Sequence, residues 1–311
     1  MTNPHTPRPS DLVALVSFDG DVVPNQAVTR DRLGRTAPAP HALGAAIEQW
    51  LGRRPVWIDV RGRQIRGIAT AREMHGRDAW QIDTLVDATG GTSGEVVAGL
   101  LRQATEAATE ARVGRLLLRL EADSSAVLEA RRAGFTVALE EQLWTRTHRG
   151  SEVDSTPSVQ VRDSDAADAF FEFQLYCRTY PVEARQALGM TFDEWGAAQE
   201  RRWARGMRQQ IAVEQGQARA ALRATGSQLT VIAEADARDC AEALLRAAEV
   251  HLDTRVLALQ PMCDATPARA LRDHGFEPGP TYVLLAQRTM RTVRAMAREA
   301  IRTRTVVPSG G

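Results

Sequence analysis

The chain repeats itself. Asp123, Gly134 and Phe135 recur 141 residues later as Asp264, Gly275 and Phe276. The strand-like runs Leu116 to Leu120 and Leu257 to Gln260 keep that register. The long helical segments upstream are offset by about three more residues, as a small indel between two copies would leave them. A shared strand–helix–Gly-Phe–strand signature at one offset restricts the chain to two copies of one α/β unit. The charge split agrees: residues 1–150 carry 19 Arg against 18 acids, and residues 151–311 carry 20 against 21.

Each copy has the same order of elements. In the first, Leu12 to Phe18 reads as a strand and Ala42 to Leu51 as a helix closed by Gly52. Val56 to Val60, Gln64 to Arg72 and Trp80 to Val86 read as an antiparallel meander turning at Gly62 and Gly76. A long amphipathic helix follows from about Ser93 to Ala111, then a strand at Arg115 to Leu120, a helix at Ser124 to Ala133, and a strand pair within Phe135 to Arg146.

The second copy repeats this. It has a strand at Val159 to Arg162 and helices at Ala166 to Tyr180 and Phe192 to Arg205. Strands follow at Gln210 to Glu214, Ala218 to Arg223 and Leu229 to Ala233. The unit closes with a helix at Ala237 to His251, a strand at Arg255 to Gln260, a helix at Pro267 to His274 and a strand at Thr281 to Arg288. The predicted organisation is a disordered tail over 1–10, a domain over 11–148, a linker over 149–158, a domain over 159–290, and a basic helix and tail over 291–311.

Composition removes several chemistries. All 39 basic residues are Arg and none is Lys, so a Walker-type phosphate loop, a kinase lysine and a pyridoxal Schiff base are excluded. Zero net charge provides no general attraction to nucleic acid or to an anionic membrane. Cys177, Cys240 and Cys263 are far apart, forming neither a metal-type pair nor an even disulfide set, which suits a reducing cytoplasm. No apolar signal core and no run of 18 apolar residues occurs, so a cytosolic, non-membrane protein is expected. No His-Glu-x-x-His, Gly-x-Ser-x-Gly or Gly-x-Gly-x-x-Gly pattern appears.

The order of elements resembles the GNAT superfamily of N-acetyltransferases, in a tandem arrangement. The segments Asp123-Ser-Ser-Ala126-Val-Leu-Glu-Ala130-Arg-Arg-Ala-Gly134-Phe135 and Asp264-Ala-Thr-Pro267-Ala-Arg-Ala-Leu271-Arg-Asp-His-Gly275-Phe276 carry the resemblance. They are similar to the family's Asn-x-x-Ala-x-x-x-Tyr-x-x-x-Gly-Phe, with Ala130 and Leu271 in place of the Tyr that often serves as general acid. The resemblance implies α/β domains, each a mixed, mostly antiparallel sheet flanked by helices. It also implies acetyl transfer from acetyl-CoA to a small-molecule amine.

The family's pyrophosphate motif, Gln/Arg-x-x-Gly-x-Gly/Ala, falls on Thr92, Glu95 and Val97 in the first copy and on Asp236, Asp239 and Ala241 in the second. Small residues there let backbone N–H groups and the helix dipole approach the phosphates. Thr92 with Glu95, and Asp236 with Asp239, instead have the spacing of capping boxes and place a carboxylate in the anion's position.

By this resemblance the cofactor is assigned to one copy at most, the first. Leu85, Asp87, Gly90, Gly91, Thr92, Ser93 and Gly94 form the turn that would receive it. Asp83 on the fourth strand, and Glu73 and His75 on the preceding hairpin, are the candidate catalytic carboxylates and imidazole. Tyr176, Cys177 and Tyr180 lie on an aromatic-rich helix that reads either as a substrate wall or as a core face. Arg291, Arg294, Arg298 and Arg302 share one helix face. A homodimer remains open. The competing reading is a catalytically inactive GNAT-fold protein acting as a ligand-binding or scaffold module, in which side chains fill the gap between the fourth and fifth strands.

Overall fold

The computed structural model describes residues 4–18, 24–34, 42–76, 78–90, 94–148, 159–199 and 207–289. The first copy contributes α1 (Leu12–Ser17), α2 (Ala42–Trp50), β1 (Val56–Arg61), β2 (Gln64–Glu73), β3 (Ala79–Asp87), α3 (Gly94–Glu110), β4 (Arg115–Glu121), α4 (Ala126–Arg132) and β5 (Thr136–Arg146). The second contributes β6 (Gln160–Asp163), α5 (Ala169–Thr179), α6 (Val182–Leu188), α7 (Phe192–Ala197), β7 (Arg208–Glu214), β8 (Gln217–Ala224), β9 (Gln228–Ala233), α8 (Arg238–Glu249), β10 (Val256–Pro261), α9 (Ala265–Asp273) and β11 (Glu277–Arg288).

The repeated Gly-Phe pair is a helix stop. Gly134 and Gly275 adopt φ of 96° and 78°, the left-handed region that glycine enters at least cost. The N–H of Phe135 donates to the Ala130 carbonyl, and that of Phe276 to the Leu271 carbonyl, each at 3.0 Å. These bonds satisfy a carbonyl that the helix end would orphan. Both Phe rings are then buried in the core beneath the helix.

The strands form one eleven-stranded sheet in the order β1-β2-β3-β4-β11-β5-β10-β9-β8-β7-β6. The last strands of the two copies are exchanged. β11 inserts between β4 and β5, antiparallel to both, and β5 pairs antiparallel with β10. Val283, Leu284 and Leu285 of β11 are buried there, each contributing about 1.5–3 kcal/mol of burial. The two copies therefore share a core along the centre of the sheet.

Alternation along the strands sends neighbouring side chains to opposite faces. Leu116, Leu118 and Leu120 of β4 pack with α3 and α4, whereas Leu117 packs with α6. In the second copy Ala220 and Leu222 pack with α8, whereas Ala221 packs with α5. The helices α5 to α7 thus cover the face opposite α3 and α8.

Several expectations are corrected. Leu12 to Phe18 is a helix rather than a strand. Pro9 starts a 3-10 turn, Asp11 Oδ2 accepts from the Arg8 N–H at 2.8 Å, and this start signal overrides the β-branched composition. Phe135 to Arg146 holds one strand, not two. The segment 166–180 opens with a 3-10 turn at Ala166–Asp168 before α5, and α6 was not foreseen. Residues from Pro4 onward join the structure: His5 and Ile58 exchange backbone hydrogen bonds at the β1 edge, so 1–10 is not simply a tail. The end of the helix expected over Phe192 to Arg205 and the basic segment 291–311 lie outside the described residues.

Candidate functional site

In the first copy β3 pairs with β4 in parallel from Ala79–Arg115 to Ile82–Leu118 and then leaves it. Asp83 is the extra residue of a bulge, since Ile82 faces Ala71 and Thr84 faces Thr70 on β2. Beyond the bulge the backbone of β3 needs other partners, and the segment 24–34 supplies them. Asn25 Nδ2 donates to the Asp83 carbonyl at 3.0 Å, and its Oδ1 accepts from the Leu85 N–H at 2.9 Å. The Gln26 N–H donates to the Leu85 carbonyl, and the Val28 N–H to the Arg119 carbonyl on β4, both at 2.9 Å. The chain's own backbone therefore lies in the gap between β3 and β4.

The sequence-predicted residues are distributed around this gap. Leu85 is fully buried, and its N–H and C=O are engaged as described. Asp87 turns its carboxylate onto Thr89, accepting from the backbone N–H at 2.8 Å and from the hydroxyl at 2.5 Å. Gly90 turns at φ 67°. Gly94 opens α3, and a Cβ there would collide with the Glu129 carboxylate, which α4 presents at the helix start. Gly91, Thr92 and Ser93, and with them the Thr92–Glu95 capping box, lie outside the described residues.

Asp83 is buried in an ion pair with Arg54 and accepts from Thr70 Oγ1 at 2.7 Å, an arrangement that anchors β3. Glu73 and His75 are exposed at the β2–β3 turn. That turn donates from the His75 and Gly76 N–H groups to the Gln199 and Ala197 carbonyls, fixing the end of α7. The three candidate catalytic residues are not brought together.

The second copy has the same gap. β9 and β10 pair in parallel only at Gln228–Leu257 and Leu229–Ala258. Val231 occupies the place of Leu85, and here one side chain satisfies it. The Gln260 amide donates to the Val231 carbonyl at 2.8 Å and accepts from its N–H at 2.7 Å, the orientation its partners require. Asp236 does not cap α8. Ala237 is the N-cap, with no side-chain acceptor, while Asp236 pairs with Arg219 at 2.5 Å. Glu234 is held by Arg219 and Arg178.

A cavity of about 120 Å³ lies where the two copies meet, under α5 to α7. Its floor includes Leu117 and Arg119 of β4, Leu284 of β11, Glu141 of β5, and Thr230 and Ile232 of β9. Its roof includes Glu172, Tyr176, Tyr180 and Trp195. Arg119 and Glu141, both about 2% exposed, form an ion pair with Nε–Oε2 at 2.5 Å. Arg30 reaches in from the segment 24–34, with Nη1 donating to Thr230 Oγ1 at 2.6 Å and Nη2 lying 3.5 Å from Glu141. Arg223 pairs with Glu172 at 2.7 Å, donates to Gln199 Oε1 at 2.8 Å and stacks over Trp195. Arg115 of β4 anchors α7 through Glu194 at 2.8 Å.

Burial pushes the Tyr176 and Tyr180 hydroxyls far above the ordinary phenol value, so both stay protonated. The Tyr176 hydroxyl donates to the Gly189 carbonyl at 3.2 Å. The aromatic helix is thus core and cavity wall at once: Leu175 and Tyr176 face inward, whereas Phe170 and Phe171 are exposed.

Sequence reasoning missed Arg30, Arg119, Glu141, Glu172, Trp195 and Arg223. A usable signal existed for Arg119, a lone charge inside the apolar run Leu116 to Leu120. A buried charge costs heavily unless paired, so such a position calls for an acidic partner across the sheet. Arg30 carried no such signal.

Among the described residues, no helix is long and apolar enough to cross a membrane, and no group of three or more His, Cys, Asp or Glu could hold a metal ion. No protein-family model and no curated protein matches the sequence. Solved structures do. A GCN5-related N-acetyltransferase from Sphaerobacter thermophilus is similar over 93% of this chain and 96% of its own, with a TM-score of 0.53 and 12% identity. A tandem GNAT protein from the clavulanic acid biosynthesis pathway is similar over 94% of this chain and 99% of its own, with a TM-score of 0.42 and 14% identity. With its mixed sheet, bulged β3 and twice-used Gly-Phe stop, this chain has the fold of the GCN5-related N-acetyltransferases, in tandem.

Proposed function

We propose that the chain is an acyl-CoA-dependent N-acyltransferase whose working site is in the second copy, with the cavity under α5 to α7 as its acceptor pocket. The observation that carries this reading is the position of that cavity. Thr230 and Ile232 line it at the point where β9 has just parted from β10. In this fold that is where an acyl group would meet an amine.

The two gaps differ in their fit for coenzyme A. In the first copy main chain fills the gap and a carboxylate sits at the start of α3. In the second a single side-chain amide occupies Val231, and rotating Gln260 frees it. There α8 begins without a side-chain cap, which leaves its first N–H groups open to an anion beside Arg238, although Asp239 stands in the same turn; Ala241 within that turn is small. The backbone of Val231, the first turn of α8 and Arg219 would hold the cofactor, which supplies an activated acyl thioester. Glu172, fixed by Arg223 and by Ser164 Oγ at 3.0 Å, is the carboxylate placed to take a proton from an incoming ammonium. Tyr176 lines the same space, with its hydroxyl held on the Gly189 carbonyl. The apolar walls exclude water from the amine.

Calorimetry with acetyl-CoA tests this. The reading expects about one site per chain, weakened roughly ten-fold by Arg238→Glu, which reverses a charge in the first turn of α8. Gly90→Asp, on the first-copy turn, is expected to leave binding unchanged. Loss confined to Gly90→Asp would return the cofactor to the first copy. No binding would favour the second reading, a ligand-binding protein without transfer chemistry. Gln260 seated on Val231 is the observation on that side.

A further inference from the structure

We infer that the first copy holds a ligand site of its own, an open trough of about 480 Å³ beside its closed gap, and that this site takes an apolar amino acid. The trough lies at the C-terminal end of β4. The segment 24–34 forms one side of it, and Glu121 and Ser124 stand on the other. Its floor is apolar: Leu143 of β5 and Val28 belong to one cluster with Leu33, Leu257 and Leu259. Tyr282 of β11 lies two residues before Leu284, which packs with α6, so both point to that face of the sheet.

Tyr282 is the residue that calls for a ligand. It lines the trough and is only 4% exposed, yet among the described residues its hydroxyl has no hydrogen-bond partner. A buried phenol hydroxyl ordinarily finds one. Burial, and after it the Glu121 carboxylate, hold this hydroxyl above the ordinary phenol value, so it stays protonated and able to donate.

Two opposite charges share the trough without pairing. Arg32 Nη1 donates to the Asp83 carbonyl at 2.9 Å, a neutral acceptor, and among the described residues no carboxylate pairs with this guanidinium. Glu121 likewise has no cationic partner there, and the two are too far apart to pair with each other. A molecule carrying one charge of each sign fits between them, gaining a charge-assisted bond at each end. An ammonium at Glu121, a carboxylate facing Arg32 and the Tyr282 hydroxyl, and an apolar side chain on Leu143 describe an apolar amino acid. Main chain fills the gap beside the trough, so an amine held here meets no acyl donor and is bound without transfer. Nothing in this site depends on the chemistry of the second copy.

The full-length protein is titrated by calorimetry with L-phenylalanine, phenylpropionate and phenethylamine, which share an apolar body and differ in charge. Phenylalanine is expected to bind roughly ten-fold or more tightly than either single-charge analogue. Arg32→Gln brings its affinity down to that of phenethylamine, and Glu121→Gln to that of phenylpropionate. Tyr282→Phe, which removes one oxygen and keeps the ring, weakens it about five-fold. Amide hydrogen exchange of the phenylalanine complex shows added protection over 25–28 and 121–124, with α5 to α7 unchanged. No binding of phenylalanine, an analogue that binds as tightly, affinity unchanged in Arg32→Gln and Tyr282→Phe, or protection confined to α5 to α7 would overturn the inference.

Discussion

Leu85 and Val231 occupy equivalent places in the two copies, and each must find partners for an N–H and a C=O that the diverging strands leave unpaired. The first copy solves this with main chain: Asn25 and Gln26 bind Leu85, and Val28 ties the same segment to β4. The second solves it with one side chain, Gln260. The same backbone requirement is thus met once by a device that moves only if a segment is pulled out, and once by a device that moves by side-chain rotation. Fold alone does not distinguish a closed copy from one that can open; the groups filling the gap do.

The largest expected effect removes what both copies share. Glu141 on β5 is the buried partner of Arg119 on β4 and lies beside Arg30. Glu141→Leu removes the buried carboxylate paired with Arg119 and is expected to cost ~3–5 kcal/mol in urea unfolding. Next are the two amides. Asn25→Ala and Gln260→Ala each orphan buried backbone groups and are expected to cost ~1–3 kcal/mol. Saturating acetyl-CoA is expected to restore the loss in Gln260→Ala, because a ligand bound only to the native state stabilises it. Asn25→Ala gains no more from the cofactor than the parent does. Equal rescue of both would erase the contrast between the copies.

The helix stops sharpen the comparison at smaller amplitude. Gly134→Ala and Gly275→Ala both place a Cβ at positive φ, costing ~1–2 kcal/mol. The first is expected to cost more, because its Cβ meets Gln287 Oε1 at 3.1 Å while nothing lies within 4 Å at Gly275. Thermal unfolding of the two variants decides the order. The smallest effect is one that acid abolishes. The bidentate hydrogen bonds from Arg162, at 2.6 and 2.7 Å, hold the Asp168 carboxyl below its ordinary value of 3.8. A depressed folded pKa gives stability that is present above pH 3.8 and lost as pH falls through the folded value. Asp168→Asn is therefore expected to destabilise at pH 7 and to converge on the parent near pH 2 in denaturant unfolding.

Local pattern carried much of this fold. The Gly-Phe stops and the meander turns at Gly62 and Gly76 are short-range signals that correspond to helix ends and strand connections in the structure, and the 141-residue register marks their repetition. The exchange of β5 and β11 left no such trace, because a strand's own alternation sets which faces are buried and not which neighbour it pairs with. The same limit hid the cavity. Glu141 and Arg119 meet across the sheet, and Arg30 arrives from a connection with no periodicity to read. The capping-box spacing at Asp236 misled for a related reason. Arg219, brought alongside from β8, competes for that carboxylate, and Ala237 becomes the N-cap. Leu12 to Phe18 shows tertiary packing and a Pro-Asp start overriding β propensity.

The central claim is that the second copy can open to a cofactor and the first cannot. Residue-resolved amide hydrogen exchange, with and without acetyl-CoA, addresses it directly. The account predicts added protection at Val231 and across the first turn of α8, with Leu85 and the segment 25–28 unchanged. Added protection at Leu85 and around Gly90, with β9 and α8 unaffected, would contradict it.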